Sequence, residues 1–209
     1  MRKSLDLFDQ KEELVVAKLT DAQLHYFPNA ISTYDADNFL SVCLKELPWR
    51  QDTIRIAGKQ IPVPRLQNWY GDAQAQYSYS GIRLKPLPWP DALLAIKRQV
   101  ESISQHNFNS VLANYYRDGN DSVDWHSDDE PELGEQPVIA SLSLGATRTF
   151  TLKHRYDKTI AQQKIQLHHG SLLVMSGHTQ SHWLHRVAKE KHVDTARINL
   201  TFRQIKVNE

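Results

Sequence analysis

The sequence predicts a mostly β fold with flanking α-helices: a jelly-roll core with N-terminal helices packed on one of its sheets. Three observations predict it. Beyond about Asn107 the 209-residue chain breaks into eight short strand-like segments punctuated by Asp118-Gly119, Gly134, Gly145, Gly170 and Gly177. Before that point, two stretches carry apolar residues at helical spacing. The last strand-like segment alternates strictly, with Ile198, Leu200 and Phe202 on one face and Arg197, Asn199, Thr201 and Arg203 on the other.

Taken in order, residues 1–20 form an N-terminal extension with no recognisable pattern. Residues 21–106 hold the helices and a basic, aromatic-rich segment. Asp35–Leu47 places Phe39, Leu40, Cys43 and Leu47 on one stripe. Asp91–Gln105 does the same with Leu93, Ile96, Val100 and Ile103, and Pro88 and Pro90 mark its start. Residues 107–209 supply the core strands. They are expected at 111–116, 123–126, 138–144, 148–154, 164–167, 171–175, 181–187 and 196–204. Neither a linker nor an internal repeat interrupts the chain, so one structural domain is expected overall.

Composition narrows the function classes. Hydrophobic residues make up 40% and charged residues 23%, with a formal net charge of +1, as in ordinary globular proteins. The single cysteine, Cys43, excludes an internal disulfide and a multi-cysteine zinc site. No apolar run approaches the roughly 20 residues of a membrane helix, and Met1–Asp6 lacks the apolar stretch of a signal peptide. A cytoplasmic monomer without membrane contact is the expectation.

Charge is uneven. Between Trp49 and Arg98 eight basic side chains face three acids and are interleaved with Trp49, Trp69, Tyr70, Tyr77, Tyr79 and Trp89. That mixture suits a phosphate backbone with stacked bases. Between Asp121 and Glu135 there are seven acids and no Lys or Arg, a run that repels itself unless cations from elsewhere reach it. Within it, His126 and Asp128 stand two apart, so on a strand both face one point. With one more histidine from a distant strand they make the two-His, one-carboxylate set of non-haem Fe(II) oxygenases. His182 and His185 are the candidates; three apart, they should face opposite sides of a strand, so only one ligates. His168, His169 and His178 fall at turns. The polar face of the final strand suits a dicarboxylate, because guanidinium binds carboxylate through two hydrogen bonds. However, Arg197 and Arg203 lie about 20 Å apart on an extended strand. Either both lean inward or one has a supporting role.

Together these residues resemble the AlkB family of Fe(II)- and 2-oxoglutarate-dependent nucleic-acid demethylases, most closely its eukaryotic-type DNA and RNA repair branch. The resemblance spans residues 64–203. It is carried by Pro64-Arg65, Tyr70-Gly71-Asp72, 77–81, Asn114-Tyr115-Tyr116, 126–130, 140–146, 169–173, 182–185 and 197–203. It implies a double-stranded β-helix fold of the jelly-roll type. It implies His126, Asp128 and His185 as catalytic iron ligands, since the family's distal histidine precedes the first arginine of the final strand by twelve residues. Asn114, Tyr116, Arg197, Asn199, Thr201 and Arg203 would contact 2-oxoglutarate, with O2 as the other co-substrate. Tyr79 would stack on the base. Ile56 would wedge into a duplex in place of the aromatic that duplex-preferring relatives carry near Ala57. Arg65, with Arg55, Lys59 and Arg83, would hold phosphates. Asp129 or Glu130 would offset the charge of a cationic methylated base. The implied reaction is oxidative demethylation of 1-methyladenine- and 3-methylcytosine-type bases in single-stranded or duplex DNA, or in RNA, releasing formaldehyde. The alternative is the same iron chemistry on a protein or other non-nucleic-acid substrate. A non-catalytic nucleic-acid-binding jelly roll would need neither the iron ligands nor the arginines, and a zinc hydrolase would leave the arginines without a task.

Overall fold

The computed structural model describes residues 14–15, 19–56, 58–75, 77–79 and 82–206; at 14–15, 55–56, 77–79 and 82–84 it describes the backbone only. In chain order, β1 (Leu14–Val15) and β2 (Gln23–Phe27) precede helix α1 (Thr33–Glu46). Then come β3 (Thr53–Ile56), β4 (Lys59–Pro62), β5 (Leu66–Gly71), β6 (Tyr77–Tyr79), β7 (Ile82–Leu84) and helix α2 (Asp91–Ser104). The second half holds β8 (Ser110–Tyr116), β9 (Val123–His126), β10 (Ile139–Gly145), β11 (Arg148–His154), β12 (Gln163–Leu167) and β13 (Ser171–Ser176). It ends with the short helix α3 (Thr179–His182), β14 (Trp183–Val187) and β15 (Arg197–Arg203).

Two antiparallel sheets face each other. The larger runs β1-β2-β13-β10-β15-β8-β5 and the smaller β12-β11-β14-β9; β3-β4 and β6-β7 are separate hairpins. The side-chain period of two sorts each central strand into two layers. On β15, Ile198, Leu200 and Phe202 join Leu142 and Leu144 of β10 and Leu172 and Val174 of β13 beneath the helices. Between the sheets lie Ile139, Leu173, Met175, Phe150, Leu152 and Trp183. Arg197, Asn199 and Thr201 share that second face and are buried.

The helices form for local reasons. Ser32 caps α1 by accepting from the Asp35 backbone N–H at 3.1 Å. On α2, Leu93, Ile96 and Val100 are fully buried on the larger sheet, each stabilising by about 1.5–3 kcal/mol. That helix stops where Gln105 turns left-handed, at φ 58°. Gly145 at φ 89° ends β10, and a Cβ there would lie 2.3 Å from the Ala196 carbonyl oxygen, so only glycine fits.

Both helices and all eight expected strands are present, with ends shifted by one or two residues. The expected onset of strand structure near Asn107 is too late, because β2 and β5 belong to the same larger sheet. QLHYF alternates but over only five residues, and LQNWYG mixes polar and apolar residues without alternating, so neither stands out as a strand from sequence. The expected strand 181–187 begins later: His182 closes α3 and only His185 lies on β14.

The acidic run is neutralised from outside itself. Asp121 accepts from Arg117 Nε and Nη2 at 2.8 and 2.9 Å and from the Arg117 backbone N–H at 2.9 Å. Burial alone would raise the Asp121 pKa, but these donors and Arg148 outweigh it and hold the carboxyl below the ordinary Asp range. A depressed folded-state pKa contributes stability above the unfolded value, near ~3.9, and that stability is lost as pH falls through the folded value. Asp121→Asn should therefore cost roughly 1–2 kcal/mol at neutral pH and almost nothing in strong acid, as read by urea melts across pH.

Candidate metal centre

His126, the last residue of β9, pairs directly with His185 on β14. Their rings meet edge to face at 4.3 Å between centroids, and the His185 ring stacks on Phe150 at 5.0 Å. Asp128 lies just past the end of β9, where Gln180 of α3 accepts its backbone N–H at 2.9 Å. One donor atom from each of His126, Asp128 and His185 lies within 4.8 Å of the others.

The protonation states suit a cation. The Asp124 carbonyl lies 2.7 Å from His126 Nδ1, which makes Nδ1–H the donor and leaves Nε2 for a metal. Burial, reinforced by His126 and Arg203, pushes the His185 pKa down to about 3, so its imidazole is neutral at physiological pH. Burial opposes ionisation of Asp128, yet Arg203, His185 and His126 together hold its pKa below the ordinary value. Arg203 takes one carboxylate oxygen of Asp128, leaving the other available.

The two arginines of β15 thus have different surroundings: Arg203 is paired with Asp128, and Arg197 lies at the other end of the same strand. His126, Asp128, His185, Asn199, Thr201 and Arg203 line one cavity with Arg65, Asn114, Tyr116 and Ser141. Behind that lining, Arg197 is 1% exposed. Its Nη2 donates to Ser143 Oγ at 2.9 Å and Asn199 Oδ1 at 2.7 Å, and Asn199 Nδ2 donates to Thr201 Oγ1 at 2.7 Å. Its Nε and Nη1 are buried without a hydrogen-bond partner. A buried guanidinium with unused N–H groups is the chemical complement of a carboxylate. Burial lowers the Arg197 pKa to about 10, which still leaves it cationic at pH 7.

Other expected contacts fall differently. Arg65 turns into the cavity, where Nε donates to Asn114 Oδ1 at 2.7 Å and Nη1 to the Ser122 carbonyl at 3.4 Å. Its Nε and Nη1 thus point to protein acceptors, while the half-buried side chain also lines the cavity. Asp129 is paired with Arg155 at 2.9 Å, so its charge is largely met already. Arg155 also donates to Ser127 Oγ. Glu130 is half-buried beside it. The side chains of Ile56, Tyr79, Arg55 and Arg83, and all of Ala57, lie outside the described residues. Lys59 is exposed. Gln180 and Arg155 were not evident from sequence, because they lie 52 and 26 residues from the atoms they hold. His169 is structural: its Nδ1 accepts from the Gly145 backbone N–H at 2.8 Å, and its Nε2 lies 3.2 Å from Asp37 of α1.

A family model described as the 2OG-Fe(II) oxygenase superfamily matches residues 23–203. The mouse alpha-ketoglutarate-dependent dioxygenase alkB homolog 3 is 46% identical over 187 residues, covering 86% of this chain and 65% of the relative. The human DNA oxidative demethylase ALKBH2 is 41% identical over 158 residues, covering 73% of this chain and 60% of that protein. The chain therefore spans somewhat less than two thirds of the length of these relatives. Among solved structures, OsALKBH1 superposes with a TM-score of 0.62 at 16% identity, covering 90% of this chain and 99% of that one, which shows a shared fold. The chain belongs to the 2OG-Fe(II) oxygenase superfamily and, within it, to the AlkB family.

Proposed function

We propose that this protein is an Fe(II)- and 2-oxoglutarate-dependent dioxygenase that demethylates N-alkylated bases of the 1-methyladenine and 3-methylcytosine type in DNA or RNA. The observation that carries the reaction class is the pairing of a cluster of three possible metal ligands lining one cavity with a buried, half-satisfied arginine just behind that lining. The names of the similar proteins support the substrate class. No helix among the described residues is long and apolar enough to cross a membrane. We further place the protein in the cytoplasm as a monomer; its one cysteine, free and buried, suits a reducing compartment.

His126, Asp128 and His185 would hold Fe(II). Bound there with 2-oxoglutarate and O2, the metal would supply the oxidising chemistry for hydroxylation of an N-methyl group and its loss as formaldehyde. Every other task falls to the chain. Arg203 keeps Asp128 ionised and oriented, and the Asp124 carbonyl keeps His126 in the right tautomer. Arg197 meets the distal carboxylate of the co-substrate, while Ser143, Asn199 and Thr201 fix the guanidinium plane. Of the two acids that follow the ligands, Asp129 is already paired with Arg155, so Glu130 would be the one to place negative charge where a methylated base carries positive charge. Removing the base from its stack costs a few kcal/mol, least for a lesion that cannot pair.

The test is a single-stranded oligonucleotide carrying 1-methyladenine, incubated with Fe(II) and 2-oxoglutarate. Equimolar formaldehyde and succinate, with restoration of adenine, are expected. Succinate without formaldehyde on oligonucleotides, together with hydroxylation in a protein pool, would overturn the substrate assignment.

A further inference from the structure

Arg148 opens β11 and is completely buried, yet the proposed reaction does not use it. Its Nη2 donates to the Asp121 carbonyl at 2.9 Å and the Ala188 carbonyl at 2.7 Å, and its Nη1 to the Asp118 carbonyl at 3.2 Å. Glu190 lies 3.9 Å from its Nε. The guanidinium thus ties the turn after β8 to the segment after β14. Those two segments already touch as backbone. The Gly119 N–H donates to the Val193 carbonyl at 2.7 Å and the Glu190 N–H to the Gly119 carbonyl at 2.8 Å. A Cβ on Gly119 would sit 1.8 Å from the Glu190 carbonyl oxygen.

What lies against Arg148 is Tyr116. The Arg148 guanidinium carbon is 5.6 Å from the centre of the Tyr116 ring, and the Arg197 guanidinium carbon is 5.1 Å from the same centre. Two cations therefore share one aromatic ring: Arg148, which has Glu190 nearby, and Arg197, to which the distal carboxylate of the co-substrate is assigned. Tyr116 and Arg197 are also direct partners across β8 and β15. Neither the ring nor Arg197 can shift without disturbing the other, and Arg148 clamps the ring from a frame of three carbonyls.

We propose that Arg148 is a positioning residue for 2-oxoglutarate: acting through Tyr116, it fixes Arg197 where the distal carboxylate binds. The proposal rests on the reading of Arg197 as the co-substrate anchor.

The test is calorimetric and needs no turnover. Wild type, Arg148→Lys and Arg148→Gln are loaded with Mn(II) and titrated with 2-oxoglutarate and, separately, with oxalate. Oxalate reaches the metal but carries no distal carboxylate. Lys keeps the charge without the planar fork; Gln keeps planar N–H donors without the charge. Both variants should bind oxalate like wild type and 2-oxoglutarate roughly tenfold more weakly, the scale of one cation–π contact. Unchanged 2-oxoglutarate affinity in both variants would overturn the proposal. So would an equal loss for oxalate, since a merely structural role affects both ligands. Wild type that fails to bind 2-oxoglutarate with metal present would instead overturn the parent reading of the site.

Discussion

Arg197→Met is expected to raise the Kd for 2-oxoglutarate at least 100-fold while leaving the apo protein as stable as wild type or more so. The two halves of that expectation come from one fact. Arg197 is buried with its Nε and Nη1 unpartnered, and it holds its charge although burial has drawn its pKa down to about 10. Before the co-substrate arrives, that charge is a desolvated liability, and an apolar side chain of similar length removes it. Once a dicarboxylate binds, the same guanidinium makes charge-assisted hydrogen bonds worth about 1.5–3 kcal/mol each. Two of them account for the loss. Thermal melts with and without 2-oxoglutarate separate the effects. Wild type should gain several degrees from the ligand and the variant none, because stabilisation by a ligand follows its affinity. A variant that keeps its ligand-induced shift would show that the carboxylate binds elsewhere.

The second large effect is at His185. His185→Ala should abolish turnover and weaken Fe(II) binding by well over 100-fold, exceeding the 10–100-fold typical of residues that merely support a ligand. Part of any change in folding comes from the cavity left against Phe150. His185→Gln therefore accompanies it, filling the space while offering no imidazole. His182→Ala is the contrast, since His182 closes α3 with its ring beside His178 and Tyr156, outside the ligand cluster. It should keep full iron affinity. Equal losses at His182 and His185 would contradict the assignment of the distal ligand.

The parts of this site that were legible in the sequence are those governed by short-range geometry. The parity of β15 separates Ile198, Leu200 and Phe202 from Arg197, Asn199, Thr201 and Arg203, and the structure keeps that division. The two-residue spacing of His126 and Asp128 likewise predicted a shared direction, although Asp128 lies just past the strand end. What spacing does not encode is partnership across the fold. Nothing local says that Arg203 reaches Asp128, 75 residues away, or that Arg155 meets Asp129. For the same reason the acidic run looked self-repelling, when its cations are drawn from Arg117, Arg155 and Arg203. The early strands β2 and β5 were missed for different reasons: β2 alternates but over only five residues, and β5 does not alternate. Charge alone also did not show that Arg65 reaches Asn114, 49 residues away.

The most direct test of the whole account is an anaerobic titration of the protein with Fe(II) in the presence of 2-oxoglutarate, followed by visible absorption. A weak charge-transfer band should grow to saturation at one iron per chain, require both components, and be missing from His185→Gln and Arg197→Met at the same concentrations. Saturable iron binding with no such band in wild type, or a band that survives both substitutions, would mean that these side chains do not build a shared iron and 2-oxoglutarate site.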